Sequence, residues 1–160
     1  MPKLTLQVKI QLTLLFVLAA LFVTAQNNAD ITIHHKDAKV YVEVLVQIQE
    51  IEHIVSSEDF CEQGTSLSFC FRNYIQEKLK ISINGTENLE FIIEASLANA
   101  EKMQLNLSAV STQTSFSSFE IENNAFVEEI EGFTNNMTVK LNEKESKQAL
   151  DLSKRSLSVN

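Results

Sequence analysis

The sequence predicts a mainly β protein, an antiparallel β-sandwich-like domain of about seven strands with one helix over residues 67–79; an α+β arrangement, one sheet covered by that helix, is the alternative. Three observations carry this expectation. In AKVYVEVLVQIQE, residues 38–50, Val40, Val42, Val44, Val46 and Ile48 recur at every second position, while Tyr41, Glu43, Leu45, Gln47 and Gln49 fill the other register. β-Branched side chains lose rotamer freedom in a helix and pack well on a pleated sheet, and a strand with one polar face suits an antiparallel sheet wetted on one side. Further short alternating stretches follow at the spacing of about 8–12 residues that marks sandwiches and partly open barrels. Only one stretch, residues 67–79, carries apolar residues at clear helical spacing.

The chain opens with a segment that reads as an export leader. Lys3 and Lys9 form a basic region, residues 10–23 are largely apolar, and Val23-Thr24-Ala25 ends in the small residue a signal peptidase accepts. Cleavage is expected after Ala25, giving a signal peptide over residues 1–25 and a single β-rich domain over residues 26–160. The apolar run is shorter than the roughly 20 residues a membrane span requires. No stable span is therefore expected after processing, and an uncleaved anchor would tether the domain in the same compartment. Loss of the two lysines takes the formal charge from −8 to −10. Such acidity argues against nucleic acid and against an anionic membrane face, both of which need a positive field.

Along the domain, Ile31 and Ile33 alternate with Thr32 and His34, and His35-Lys36-Asp37-Ala38 reads as a hairpin turn into the valine-rich strand. Residues 50–60 are compatible with a helical turn or a loop. Thr65 or Ser66 caps the helix, whose apolar face is Leu67, Cys70, Phe71, Tyr74, Ile75 and Leu79. The period then switches to two in Lys80-Ile81-Ser82-Ile83, before Asn84-Gly85, a pair that tolerates positive φ and marks a tight turn. Strands are expected over residues 89–97, with Leu89, Phe91, Ile93, Ala95 and Leu97 on one face, and over residues 103–109. Phe119 and Ile121 return to the sheet, and residues 126–133 form a helical turn or an acidic loop. Met137, Val139 and Leu141 begin a last hairpin that turns at residues 142–145 and returns through residues 149–152, with Leu157 and Val159 at an edge or frayed.

Cys61 and Cys70 are the two cysteines, and in an exported chain an even pair is a disulfide candidate. The other reading makes Cys70 a small buried hydrophobe on the helix stripe. Eight intervening residues do not make a CxxC redox motif.

Signals of catalysis are sparse. A metal site from His34, His53 and Glu52 is conceivable, but His34 and His35 are adjacent and point to opposite faces of a strand, so surface or turn histidines, with no metal and no cofactor, are expected. No GxSxG elbow is present, and Glu128-Glu129 and Glu143 with Glu145 read as solvated charge rather than as catalytic pairs. Three glycines leave no phosphate-cradling loop. The sequons at Asn84, Asn106 and Asn136 read as chance matches in a chain rich in Asn, Ser and Thr. Phe116, Phe119, Phe126 and Phe133 fill a core or, for Phe116 and Phe119 in particular, form an apolar patch for partner contact.

The order of elements adds a resemblance. A leader, a hairpin, YIQEKL running into KISING, the stretch FEIENNAFVEEI and the closing TNNMTVKLNEKESKQALDLSKRSLSV together resemble a family of small, functionally uncharacterised exported proteins of Bacteroidota. The family's closing asparagine, strand, charged turn and last strand correspond here to Asn136, Met137 to Leu141, Asn142-Glu143-Lys144-Glu145 and Asp151-Leu152-Ser153-Lys154. The chain departs from the family's pattern at its opening, Gln26-Asn27-Asn28-Ala29-Asp30, and around Ile51 to Phe60, where only the acidity is retained. The resemblance implies a fold and export rather than a mechanism. The resulting expectation is a non-catalytic structural or binding protein of the bacterial periplasm or envelope, or secreted from it, facing an envelope protein or another extracytoplasmic ligand. A small periplasmic hydrolase or metal-dependent enzyme is the alternative.

Overall fold

A hairpin seeds the architecture. In the computed structural model, which describes residues 27–86, 89–99, 101–113 and 115–160, β1 (Asn28–Lys36) turns at Asp37 and Ala38 into β2 (Lys39–Gln47), with the two strands in register from Ala29 opposite Val46 to Lys36 opposite Lys39. Asp37 takes the positive φ of 55° that the tight turn needs. The expected signal peptide lies outside the described residues.

Seven further strands follow: β3 (Leu79–Ile83), β4 (Ile92–Ala98), β5 (Lys102–Val110), β6 (Phe119–Asn123), β7 (Thr134–Leu141), β8 (Lys144–Leu150) and β9 (Ser156–Val159). They make two sheets. The larger has six strands in the order β4-β5-β2-β1-β7-β8, and the smaller three in the order β3-β6-β9. This is a mainly β, sandwich-like domain, as the strand spacing predicts. One pairing departs from the antiparallel rule: β1 and β7 run parallel, from Asn28 opposite Thr134 to His34 opposite Lys140. A parallel neighbour demands a long crossover, which here is the whole chain from β2 to β7.

The core lies between the sheets. Ile31 and Ile33, the four valines of β2, Leu105 and Leu107 of β5 and Val139 of β7 face Leu79, Ile81, Ile83, Phe119 and Ile121 of the smaller sheet, all with at most 2% of their surface exposed. Two helices complete the cover, α1 (Ile48–Val55) and α2 (Leu67–Lys78). The first corrects the reading of residues 38–50 as strand throughout and of residues 67–79 as the only clear helix. Ile48 belongs to two patterns, the period-two run of β2 and a helical set with Ile51, Ile54 and Val55, and the helical set wins because those side chains reach the core only from a helix. The Ile48 N–H donates to Glu101 O at 2.9 Å, which fixes the start of α1 against the β4–β5 turn.

Ser66 caps α2, accepting from Phe69 N at 3.4 Å, and the helix runs directly into β3 at Leu79. Cys61 and Cys70 form a disulfide that ties α2 to the loop before it. Gln76 fastens the other side, donating to Leu89 O at 2.9 Å and accepting from Phe91 N at 2.6 Å.

Two further corrections concern strands. β4 starts at Ile92 rather than residue 89, and a register shift between Ile93 and Ala95 moves Leu97 from the expected inner face to the outside, where it is 66% exposed. β8 begins at Lys144 and includes the polar KESKQAL, because an edge strand with both faces wet needs no apolar alternation.

The acidic stretch after β6 is a turn clamped from below. Phe126 has φ of 62°, uncommon for a bulky residue, and its N–H donates to the buried Tyr74 hydroxyl at 2.6 Å. Asn123 Oδ1 accepts from Ala125 N at 3.0 Å, and Asn135 Nδ2 donates to Ala125 O at 2.7 Å. Both asparagines are fully buried, so these bonds satisfy a backbone that water does not reach.

Candidate functional site

The face of the larger sheet turned away from the core carries half-buried and exposed side chains, with Ser108 fully buried among them. Strand register arranges its side chains in three rows. Across β4, β5, β2, β1, β7 and β8, one row reads Leu97, Gln104, Leu45, Asp30, Asn136, Ala149; the next Ala95, Asn106, Glu43, Thr32, Thr138, Lys147; the third Ile92, Ser108, Tyr41, His34, Lys140, Glu145. The alternation that buries Val40, Val42 and Val44 necessarily presents Tyr41 and Glu43 here.

A hollow of about 390 Å³ opens on this face between β2 and β4, lined by His34, Lys39, Tyr41, Glu43, Glu94 and Asn106, among others. His34 and Tyr41 stand directly opposite each other, their rings stacked at 5.1 Å and 12° apart in plane. Glu94 occupies the irregularity of β4 and reaches back over the sheet, where its Oε1 accepts from the Ser108 hydroxyl at 2.5 Å and lies 3.6 Å from Lys39 Nζ. The Ser108 bond first, and then Lys39, hold the Glu94 carboxyl below the usual carboxylate range. Glu43 Oε1 accepts from Gln104 Nε2 at 2.7 Å, and the same amide reaches Asn106 Oδ1 at 3.3 Å. Burial, followed by Lys140 in the neighbouring row position, pushes His34 below its ordinary value, with Glu43 opposing.

Larger hollows exist, but their chemistry is plainer. One of about 500 Å³ lies on the outside of β3, β6 and β9, lined by Lys80, Ser82, Glu120, Glu122 and the serines of β9. Another, about 620 Å³, lies beside Asp59, Phe60, Glu77, Lys78 and Glu129. Neither couples an aromatic pair to amides and carboxylates on rigid strands, as the β2–β4 hollow does.

The residues singled out from sequence are dispersed. Phe116 and Phe119 are 7% and 0% exposed, and His35 stacks on Phe116 at 4.6 Å, so both phenylalanines fill the core and do not form the partner-contact patch considered for them. His34 and His35 do point to opposite faces, the latter accepting from Asn142 N at 3.2 Å through Nε2. His53 sits on the exposed side of α1, beyond the far end of β2 from His34, about 20 Å of strand away. Among the described residues no cluster of three or more His, Cys, Asp or Glu is placed to hold a metal ion.

Of the paired acids, Glu128, Glu129 and Glu145 are ion-pair members. Glu129 contacts Lys78 at 3.0 Å and accepts from the Tyr74 hydroxyl at 3.1 Å; Glu128 pairs with Lys78 at 3.3 Å and with Arg155. Glu145 pairs with Lys147 at 3.0 Å. Asn84, a sequon position, uses its side chain to hold the hydroxyl-rich loop, donating to Ser115 O at 2.9 Å and accepting from Ser117 N at 3.0 Å. What sequence reasoning missed is the row arrangement, since Asn106, Glu94 and Tyr41 come from three strands whose pairing no spacing reveals. The polar register of β2 was the one available signal.

No protein-family model and no curated protein matches this chain.

Proposed function

We propose that this chain is an exported, non-catalytic binding protein of the bacterial envelope, and that the open face of its larger sheet is the working surface. One observation carries the reading: His34, Tyr41, Glu43, Glu94 and Asn106 meet around a hollow on the outer face of strands in fixed register, while the alternate residues of β1, β2 and β5 build the core. Binding sites are concave, with a few convergent polar groups fixed by a scaffold, and function lies in such sites rather than in the fold. Export is supported by the leader-like residues 1–25, by the resemblance to exported proteins of Bacteroidota, and by the Cys61–Cys70 disulfide, a bond that persists in oxidising compartments.

The test has two arms. Protein recovered from envelope fractions of its native host is expected to begin at Gln26 and to resist thiol alkylation until reduced. Immobilised on beads, it is expected to retain an envelope component that a Tyr41→Ala/Asn106→Ala variant of unchanged melting temperature does not retain. A reduced, unprocessed cytosolic protein would overturn the export reading, and retention indifferent to the double variant would overturn the choice of surface.

A further inference from the structure

Resting on that choice of surface, we infer that the hollow beside Tyr41 takes a neutral saccharide. Hydrogen-bonding capacity left open in the hollow defines the ligand. Among the described residues, Glu43 and Glu94 each use only Oε1, leaving two carboxylate oxygens as free acceptors, while the Asn106 amide nitrogen and the Tyr41 hydroxyl have no partner. A sugar hydroxyl both donates and accepts, and vicinal hydroxyls present such groups in pairs that an adjacent carboxylate and amide can bridge. The Tyr41 ring in the lining adds an aromatic group, against which the axial C–H groups of a pyranose pack favourably.

Other chemistries fit less well. One lysine faces two carboxylates in the lining, so an anion such as a phosphate or a uronate meets net repulsion. The aliphatic residues of the lining besides Ala95 are Val42 and Leu107, both 1% exposed with their side chains in the core, so the hollow offers no slot for an acyl chain. A cation is opposed by Lys39, which already pairs with Glu94 at 3.6 Å, and by the bond that Glu43 makes to Gln104. All the groups in question sit on strands in fixed register, so the hollow is preformed and little ordering accompanies binding.

The test is a titration of the processed full chain, isotope-labelled for amide-resolved spectra, with cellohexaose, chitohexaose and mannohexaose as neutral probes, oligogalacturonate as the anionic probe and spermidine as the cationic one. At least one neutral probe is expected to shift the amides of Tyr41, Ala95 and Asn106 with a Kd below roughly 1 mM. Tyr41→Ala is expected to weaken that binding about tenfold. Tyr41→Phe, which keeps the ring and the packing, weakens it less, and Ser82→Ala on the other sheet leaves it unchanged. Tighter binding of spermidine or oligogalacturonate, no shift with any neutral probe, or binding equal in Tyr41→Ala would overturn the inference. If neutral probes fail while envelope capture still depends on Tyr41 and Asn106, the ligand class alone falls; if capture also ignores them, the choice of surface falls with it.

Discussion

Val42 and Tyr41 are neighbours in sequence and opposites in role. Val42 is 1% exposed, packed among the side chains between the sheets, whereas Tyr41 stands half-exposed on the open face against His34. The same alternation runs along β1, β2 and β5, where one set of side chains closes the molecule and the other faces outward, with Ser108 of β5 the exception, buried against Glu94. The two sets share a backbone but not a free-energy burden. Burial of an aliphatic side chain contributes about 1.5–3 kcal/mol, while an exposed polar side chain on a sheet contributes little and is free to be chosen for chemistry.

Adjacent truncations on β1 give the largest contrast. Ile31→Ala removes a fully buried side chain and is expected to cost about 2–5 kcal/mol in urea unfolding, against less than about 0.5 kcal/mol for Thr32→Ala one residue away. Equal costs would erase the distinction between the faces. Next comes the cover of the inner face. Cys61→Ala/Cys70→Ala releases a short loop on α2, and the expected loss is about 2–3 kcal/mol, reproduced by adding reductant to the wild type.

A smaller loss is expected from Tyr74→Phe, which strands the buried Phe126 N–H at about 1–3 kcal/mol. Tyr74 also gives the inner side an alkaline signature. Burial first, and then the carboxylate of Glu129, push its hydroxyl far above the ordinary value, against the opposing bond from Phe126 N–H. The unfolded chain ionises this group near pH 10 and the folded chain does not, so its contribution is complete below about pH 10 and is lost as pH rises beyond it. In a Tyr41→Phe background, tyrosinate absorbance should therefore appear only together with unfolding.

The outer face supplies the smallest effect, on the acid side. The folded His34 is harder to protonate than the unfolded one, so its contribution is present above about pH 6.5 and declines as pH falls below it. The stability difference between wild type and His34→Gln, followed from pH 7 to 5, should shrink towards acid. A difference that grows towards acid would mean that the imidazolium is favoured on this face.

Much of this division was legible in sequence, because period-two alternation reports burial directly. β1, β2, β5 and β7 follow from their aliphatic residues, α2 from its spacing and its Ser66 cap, and the disulfide from two cysteines behind a leader-like segment. Three features were hidden for physical reasons. Ile48 serves a strand period and a helix period at once; β8 lies at an edge where hydration removes any apolar pattern; and the irregularity at Glu94 inverts the facing of the rest of β4. The clamp on Phe126 was hidden as well, since Tyr74, Asn123 and Asn135 meet only through long-range contacts. The candidate site was the least visible part, being written across strands rather than along one.

The claim that the open face is where this protein meets its ligand is tested most directly by cysteine labelling. Glu43→Cys is expected to react freely in the native protein and to be shielded when native envelope extract is added, while Glu120→Cys, exposed on the smaller sheet, reacts at one rate in both conditions. Labelling of Glu43→Cys that does not change with extract, or equal shielding of Glu120→Cys, would contradict the assignment of the binding face.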